Sequence, residues 1–292
     1  MKNPFHGSGV ALVTPFNDDR SIDYPALKRL VRYQIDNGTD FLVVQGTTGE
    51  SPTLNLTEKL EVLKVVQEEN NGKLKIVFGV GGNDTVSIGD ILKSLPDGID
   101  GILSVSPYYN KPTQKGIIDH YTYLASCTEL PIILYNVPGR TASNVSSATT
   151  LELAKISNIV AMKEASGNFG QIMDIIKNKP DGFSVLSGDD LITLPMIAAG
   201  ADGVISVVAN AFPKVFGEMV HSAINLDIAK SKQCHYELFD ITNMLFEEGN
   251  PGGVKVSLSH QGLMKPIMRK PLYPLSDSLA ARIETETDRI LK

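Results

Sequence analysis

The sequence predicts an α/β fold: a (β/α)8 TIM barrel followed by a small C-terminal helical appendix. Three observations carry that expectation. Eight short apolar runs alternate with eight helical patterns at roughly 25–30 residues per unit, the length of a βα unit. The runs are apolar throughout, as in parallel strands covered on both faces. Polar or glycine-rich clusters follow the C-terminal ends of the runs, and eight units suit a closed barrel better than an open doubly wound sheet.

The first run spans Ser8 to Thr14. Asp23 can cap the helix that follows, with Pro25 in its first turn, apolar residues from Leu27 to Ile35 at helical spacing, and Asn37-Gly38 as its stop. Phe41 to Val44 is the second strand, ending in Gly46-Thr-Thr-Gly-Glu-Ser51. Asn55 and Glu58 have capping-box spacing at the head of a helix running to Asn70. Strands are then expected at 75–80, 101–105, 131–135, 159–163, 183–186 and 203–208. Helices are expected at 85–95, 115–127, 146–155, 169–177, 191–199 and 212–224. Alternation stops near Asn225, so the barrel is assigned to residues 1–225 and the appendix to 226–292. The appendix reads as helices over Ala229–Glu247 and Asp277–Lys292, with a short one over Gly253–His260 between them.

Composition narrows the function. Hydrophobic residues make up 42% and charged residues 21%, ordinary for a soluble globular chain. A formal net charge of −6 argues against a general nucleic-acid binder, and an acidic substrate would need local positive groups. Met1 to Phe16 holds only a five-residue apolar run, too short for a signal peptide, and the apolar stretch from Leu191 to Phe212 is interrupted by Asp202 and Asn210. Neither a membrane span nor a secreted setting is expected. Cys127 and Cys234 lack motif spacing and fit free thiols in a reducing cytoplasm. The five histidines are scattered without metal-ligand spacing, and Gly79-Val-Gly-Gly82 falls short of a dinucleotide fingerprint. No metal or cofactor is expected.

The polar residues at the strand ends suggest a chemistry. Ile159 to Met162 ends in Lys163, which places an amine at the edge of an apolar core. The charged form is disfavoured there, and a neutral amine can condense with a carbonyl to give a Schiff base. A lysine that merely reaches out to solvent is the alternative. Tyr135, Thr47 and Tyr109 offer hydroxyls for proton transfer, and backbone amides around Thr47-Thr48 could hold a carboxylate. Arg140 could clamp a second carboxylate or form a surface salt bridge. Asp189-Asp190 could serve as acid and base, although capping of the next helix is favoured.

Five motifs then carry a family resemblance: Gly46-Thr-Thr-Gly-Glu-Ser51, Pro107-Tyr-Tyr-Asn-Lys-Pro112, Tyr135-Asn-Val-Pro-Gly-Arg-Thr141, Lys163-Glu-Ala-Ser-Gly-Asn168 and Ser187-Gly-Asp-Asp190. With Gly9-Val-Ala-Leu-Val-Thr-Pro15 and Asn250-Pro251 they span nearly the whole chain. The sequence resembles the dihydrodipicolinate synthases, within the N-acetylneuraminate lyase superfamily of class I aldolases. The resemblance implies condensation of pyruvate with L-aspartate 4-semialdehyde to 4-hydroxy-tetrahydrodipicolinate, on the route to diaminopimelate and lysine. It gives Lys163 the Schiff base, Tyr135 proton donation and acceptance, and Thr47 and Tyr109 the rest of the relay. Tyr109 is expected from a neighbouring subunit of a cytoplasmic homotetramer, a dimer of tight dimers. Thr48 and the Ile205 backbone are expected at pyruvate, Arg140 at the semialdehyde carboxylate, and Gly188 among the substrate-binding residues.

The resemblance also implies a lysine inhibition site, matched here by Ser51, Asn83 and Tyr108. Leu56, Lys59 and Ser87 stand where lysine-inhibited members often carry His, His and Glu, so weak feedback is expected. Thr47-Thr48 and Arg140 separate the chain from sialic-acid-cleaving relatives. A sugar-acid lyase using the same imine, and a silent barrel that binds a 2-oxo acid, stay open as other readings.

Overall fold

Eight parallel strands pair in chain order and close on themselves. They are β1 (Gly7–Ala11), β2 (Phe41–Val44), β3 (Lys75–Gly79), β4 (Gly101–Val105), β5 (Ile132–Asn136), β6 (Ile159–Glu164), β7 (Ser184–Ser187) and β8 (Gly203–Ser206). β8 pairs with β1 through Ile205 opposite Gly9. The computed structural model describes residues 5–292. The stretch read for a leader, Met1 to Phe16, begins in residues 1–4, outside the described residues.

Side chains alternate along each strand, so one set fills the barrel and the other meets the helices. Ala11, Val43, Val77, Leu103, Ile133, Ala161, Leu186 and Ile205 form the inner core. Val10, Leu42, Ile76, Ile102, Leu134, Met162, Val185 and Val204 belong to the outer one. Each of the Val, Leu, Ile and Met side chains among them, fully buried, contributes about 1.5–3 kcal/mol of transfer free energy. Phe5 and Phe41 meet edge to face at 5.8 Å inside the barrel. Gly9 is needed beside them, because a Cβ there would lie 2.2 Å from the Phe41 ring.

The outer layer comprises α1 (Tyr24–Asp36), α2 (Leu56–Asn70), α3 (Thr85–Lys93), α4 (Gln114–Ser126), the single turn α5 (Pro138–Thr141), α6 (Ser147–Leu153), α7 (Phe169–Asn178), α8 (Thr193–Ala198) and α9 (Pro213–Ile224). The expected caps are present. Asp23 accepts from the Ala26 amide at 2.9 Å. Asn55 and Glu58 bond reciprocally at 2.9 and 3.0 Å, closing the capping box. Cys127 and Cys234 are both free.

Several boundaries differ from expectation. β1 stops at Ala11 because the Val13 amide donates to the Asn210 side chain instead of a ladder. β8 stops at Ser206, since the Val207 and Val208 amides turn onto the Asp190 carboxylate at 3.0 and 3.1 Å. The helix expected from Leu191 opens as a 3-10 turn, and α8 begins at Thr193. Pro195 then falls in the first turn, where no amide hydrogen is required.

Four more helices follow: α10 (Ile228–Glu237), α11 (Phe239–Glu247), α12 (Gly252–His260) and α13 (Asp277–Leu291). One helix was expected across Ala229–Glu247; the chain instead breaks at Leu238. The apolar period survives the break, and Cys234, Leu238, Ile241 and Leu245 are all buried. Among the described residues no helix is long and apolar enough to cross a membrane.

Candidate active site

Tyr135 and Lys163 are register partners at the C-terminal ends of β5 and β6. Both point into the barrel, Tyr135 continuing the row of Ile133 and Lys163 that of Ala161. The Lys163 amine lies 4.4 Å from the centre of the Tyr135 ring. Only 5% of Lys163 and 6% of Tyr135 is exposed. The lysine side chain is therefore held at the rim of the core and does not extend outward as an exposed strand-end lysine would.

The next residues on these strands, Asn136 and Glu164, point the opposite way and lock the pair. Asn136 Nδ2 donates to both Glu164 oxygens at 3.1 Å. The same carboxylate accepts from the Ser166 amide at 2.7 Å and from Gln171 Nε2 at 3.1 Å. A fully buried carboxylate persists only when its oxygens are satisfied in this manner. Asn136 Oδ1 accepts from the Val145 amide, which ties the turn beyond β5 to the same network. Sequence reasoning gave these residues no role. Their signal was present: a polar residue one step out of phase with each candidate catalytic group.

Gly188 makes room for the lysine. Its amide donates to the Glu164 carbonyl at 2.8 Å, and a Cβ would lie 3.0 Å from Lys163 Cε and 2.8 Å from Ala165 Cβ. Ile205 sits deeper, buried in the inner core, and Val207 is the lining residue from that part of the rim. The expected aspartate pair divides its work. Asp189 caps the 3-10 turn through the Leu191 amide. Asp190 instead braces the end of β8, a correction to the expectation that both would cap. Burial pushes its carboxyl up to about 6.

Across the rim, Thr47 and Thr48 lie in a 3-10 turn between two left-handed residues, Gln45 (φ 64°) and Glu50 (φ 54°). Thr48 is buried and accepts from Asn250 Nδ2 at 3.0 Å. Thr47 is half-buried. A cavity of about 540 Å³ brings together Thr47, Thr48, Tyr135, Arg140, Lys163 and Gly188. That volume suits a small-molecule site. Thr242, Asn243, Phe246 and Asn250 of the appendix also line it, a contribution the sequence did not signal. Arg140 is exposed and makes no ion pair among the described residues, so the surface salt bridge is absent.

A second cavity, about 320 Å³, adjoins the first through Thr47, Tyr135 and Arg140. It collects Ser51, Lys59 and Tyr108, with no acidic side chain in its lining. Burial pushes the Lys59 amine down. Asn83 holds the region from outside, donating to the Tyr108 carbonyl at 3.2 Å. Leu56 is exposed, and the Ser87 hydroxyl is spent on Asp84 at 2.5 Å. Tyr109 joins neither cavity. It is 86% exposed with φ 72°, so a single chain brings together only Thr47 and Tyr135 of the expected relay.

Residues 4–289 match the model of the dihydrodipicolinate synthetase family. A 4-hydroxy-tetrahydrodipicolinate synthase of Parabacteroides distasonis is 51% identical over 270 residues, covering 92% of this chain and 91% of that one. The 4-hydroxy-tetrahydrodipicolinate synthase of Flavobacterium psychrophilum is 47% identical over 290 residues, 99% of each. Among solved structures, the dihydrodipicolinate synthase of Thermotoga maritima has a TM-score of 0.96 at 38% identity over 99% of both chains. That of Aquifex aeolicus has a TM-score of 0.94 at 41% identity over 98% of both.

Proposed function

Because the chain belongs to the dihydrodipicolinate synthetase family, we propose that its rim condenses pyruvate with L-aspartate 4-semialdehyde through a Schiff base on Lys163. The activity is that of a class I aldolase-type lyase, making 4-hydroxy-tetrahydrodipicolinate for diaminopimelate and lysine biosynthesis. The observation that carries the site assignment is the register pairing of two buried groups, with the Lys163 amine 4.4 Å from the Tyr135 ring.

The unprotonated amine of Lys163 attacks the pyruvate carbonyl carbon, and loss of water leaves an imine. The imine nitrogen withdraws electrons, so a methyl proton leaves and an enamine forms. The enamine carbon attacks the aldehyde, whose oxygen takes up a proton. The amino group of the former semialdehyde then adds to the imine carbon, closes the ring and releases Lys163. Tyr135 carries these protons, and Thr47, which lines the same cavity, passes them on. Thr48, Gly188 and the Ile205 backbone hold pyruvate. Arg140, without a carboxylate of its own, takes the semialdehyde carboxylate bidentately.

Tyr109 completes the relay from a neighbouring subunit. An aromatic ring left 86% exposed on left-handed backbone is a costly feature, and a partner that covers it offsets the cost. The assembly in this reading is a cytoplasmic homotetramer of two tight dimers. Ser51 and Tyr108 in the second cavity, with Asn83 bonded to the Tyr108 carbonyl from outside it, are the remains of a lysine site, and Lys59 repels the lysine ammonium groups. A steady-state assay with both substrates, coupled to a reductase that consumes the ring product, tests the function. Turnover dependent on both substrates is expected. Absence of turnover with aspartate semialdehyde, alongside turnover with a sugar aldehyde, would overturn it.

A further inference from the structure

The loop that carries Thr47 and Thr48 is fastened from the far end of the chain. Gln45 and Glu50 both lie in the left-handed region, which persists in non-glycine residues only when the surroundings hold it. Glu50 is held by the appendix. Its carboxylate lies 2.5 Å from the Lys255 amine, and both side chains are fully buried. It also accepts from the Arg269 amide at 3.0 Å. The Lys255 ammonium donates to the Thr14 and Ile267 carbonyls, each at 2.8 Å, and stands 4.4 Å from the centre of the Phe16 ring. The Arg269 guanidinium donates to the Thr53 carbonyl at 2.9 Å and to the two Glu58 oxygens at 2.9 and 2.7 Å. Beside these contacts, Asn250 donates to Thr48 itself.

A buried ion pair is an inefficient source of stability, because desolvation consumes most of the attraction; apolar replacement of both partners is often neutral. What such a pair does well is fix one geometry, since each charge tolerates only the arrangement that satisfies it. Resting on the reading that Thr47 and Thr48 serve the imine on Lys163, we propose that Lys255 and Glu50 are positioning residues for the reaction. Neither lines the cavity that holds Lys163. They act through the loop, setting where the Thr47 hydroxyl stands relative to Tyr135.

The charged groups facing Lys255 are Glu50 and Arg269, the latter paired with Glu58. Burial pushes the Lys255 amine down to about 8, with Glu50 opposing the change and Arg269 adding to it. Below that pH the ammonium and its clamp are intact; above it the proton leaves and the loop slackens. Turnover therefore has an alkaline limb near pH 8 that belongs to Lys255.

The test uses the full chain as wild type, Lys255→Arg, and the double variant Lys255→Met/Glu50→Gln, which strands no buried charge. Three readouts are compared: reductive trapping of pyruvate on Lys163, kcat against KM for pyruvate, and the pH profile of kcat. The double variant is expected to trap pyruvate normally while kcat falls about 10–100-fold, the scale of a misplaced catalytic group, with a smaller change in KM. Lys255→Arg keeps its charge and moves the alkaline limb upward. The proposal is overturned by a double variant with kcat within about two-fold of wild type. It is equally overturned by trapping and kcat falling together, or by an unmoved limb in Lys255→Arg. Wild-type protein that traps no pyruvate overturns the Schiff-base reading and this proposal with it; normal wild-type trapping with unaltered variants overturns this proposal alone.

Discussion

On one side of the rim, Lys163 and Tyr135 stand opposite each other on adjacent strands, and Asn136, Glu164 and Gln171 lock them from behind. On the other side, Thr47 and Thr48 lie in a strained turn that Asn250, Lys255 and Arg269 hold from the appendix. The first arrangement is built from neighbouring strands of the barrel. The second depends on contacts such as Asn250 to Thr48, 202 residues apart. Lys163, the proposed nucleophile, thus inherits its position from strand register, which the barrel enforces everywhere. The Thr47-Thr48 loop has no ladder to fix it and needs an outside clamp. Chemistry at the amine and proton transfer at the loop should accordingly respond to different substitutions.

The largest effect is expected at the amine. Lys163→Met removes the covalent route, and kcat should fall by about 10⁴-fold or more, with no pyruvate trapped. Residual turnover within about ten-fold of wild type would break the comparison at its root. Glu164→Gln probes the lock on the same side. Asn136, the Ser166 amide and Gln171 all donate to this carboxylate, so an amide would set donor against donor. Stability should fall by about 1–3 kcal/mol, read by denaturant unfolding, and trapping should slow with turnover. Here trapping and kcat are expected to move together, whereas at the loop they separate.

Asp190 sharpens the contrast, because it is a buried acid paired with peptide amides and not with a cation. Burial raises its carboxyl to about 6, from an ordinary value near 3.8. An acid raised in the folded state binds its proton more tightly there. Its stability contribution is fully present below the unfolded value and is lost as pH rises through about 6. Asp190→Asn removes that titration. Wild-type stability relative to the variant should drop by roughly 2–3 kcal/mol between pH 4 and pH 7 in unfolding experiments. A difference independent of pH would show that Asp190 is not the group responsible.

The smallest effect is expected in the second cavity. Lys59 leaves L-lysine facing a positive charge there, and no acid lines the space. Added L-lysine should leave steady-state turnover within about two-fold at concentrations near 1 mM, a binding free energy no better than about −4 kcal/mol. Strong inhibition would mean that this cavity accepts a cation after all.

The difference between the two sides also explains what could be read in advance. Lys163, Tyr135 and the Thr47-Thr48 turn were legible because each is a polar break after an apolar strand, and barrel strands aim such breaks at one rim. Gly188 was legible as a residue of that rim, though its packing against Lys163 Cε was not. The Glu50–Lys255 pair carried no local signal: Lys255 sits in a short helix of an appendix that looked peripheral. The break at Leu238 was hidden because the apolar period runs through it. Tyr109 follows a strand end as the sequence suggests, but its turn into solvent follows from a left-handed backbone that no periodicity encodes.

The central claim is that one buried amine, placed by β5–β6 register, becomes covalently joined to the substrate. Incubation with pyruvate and borohydride, followed by digestion and mass spectrometry, tests it most directly. One reduced pyruvate is expected per chain, on the peptide holding Lys163 and on that residue. A label on any other lysine, or none on a protein that turns over both substrates, would contradict the account.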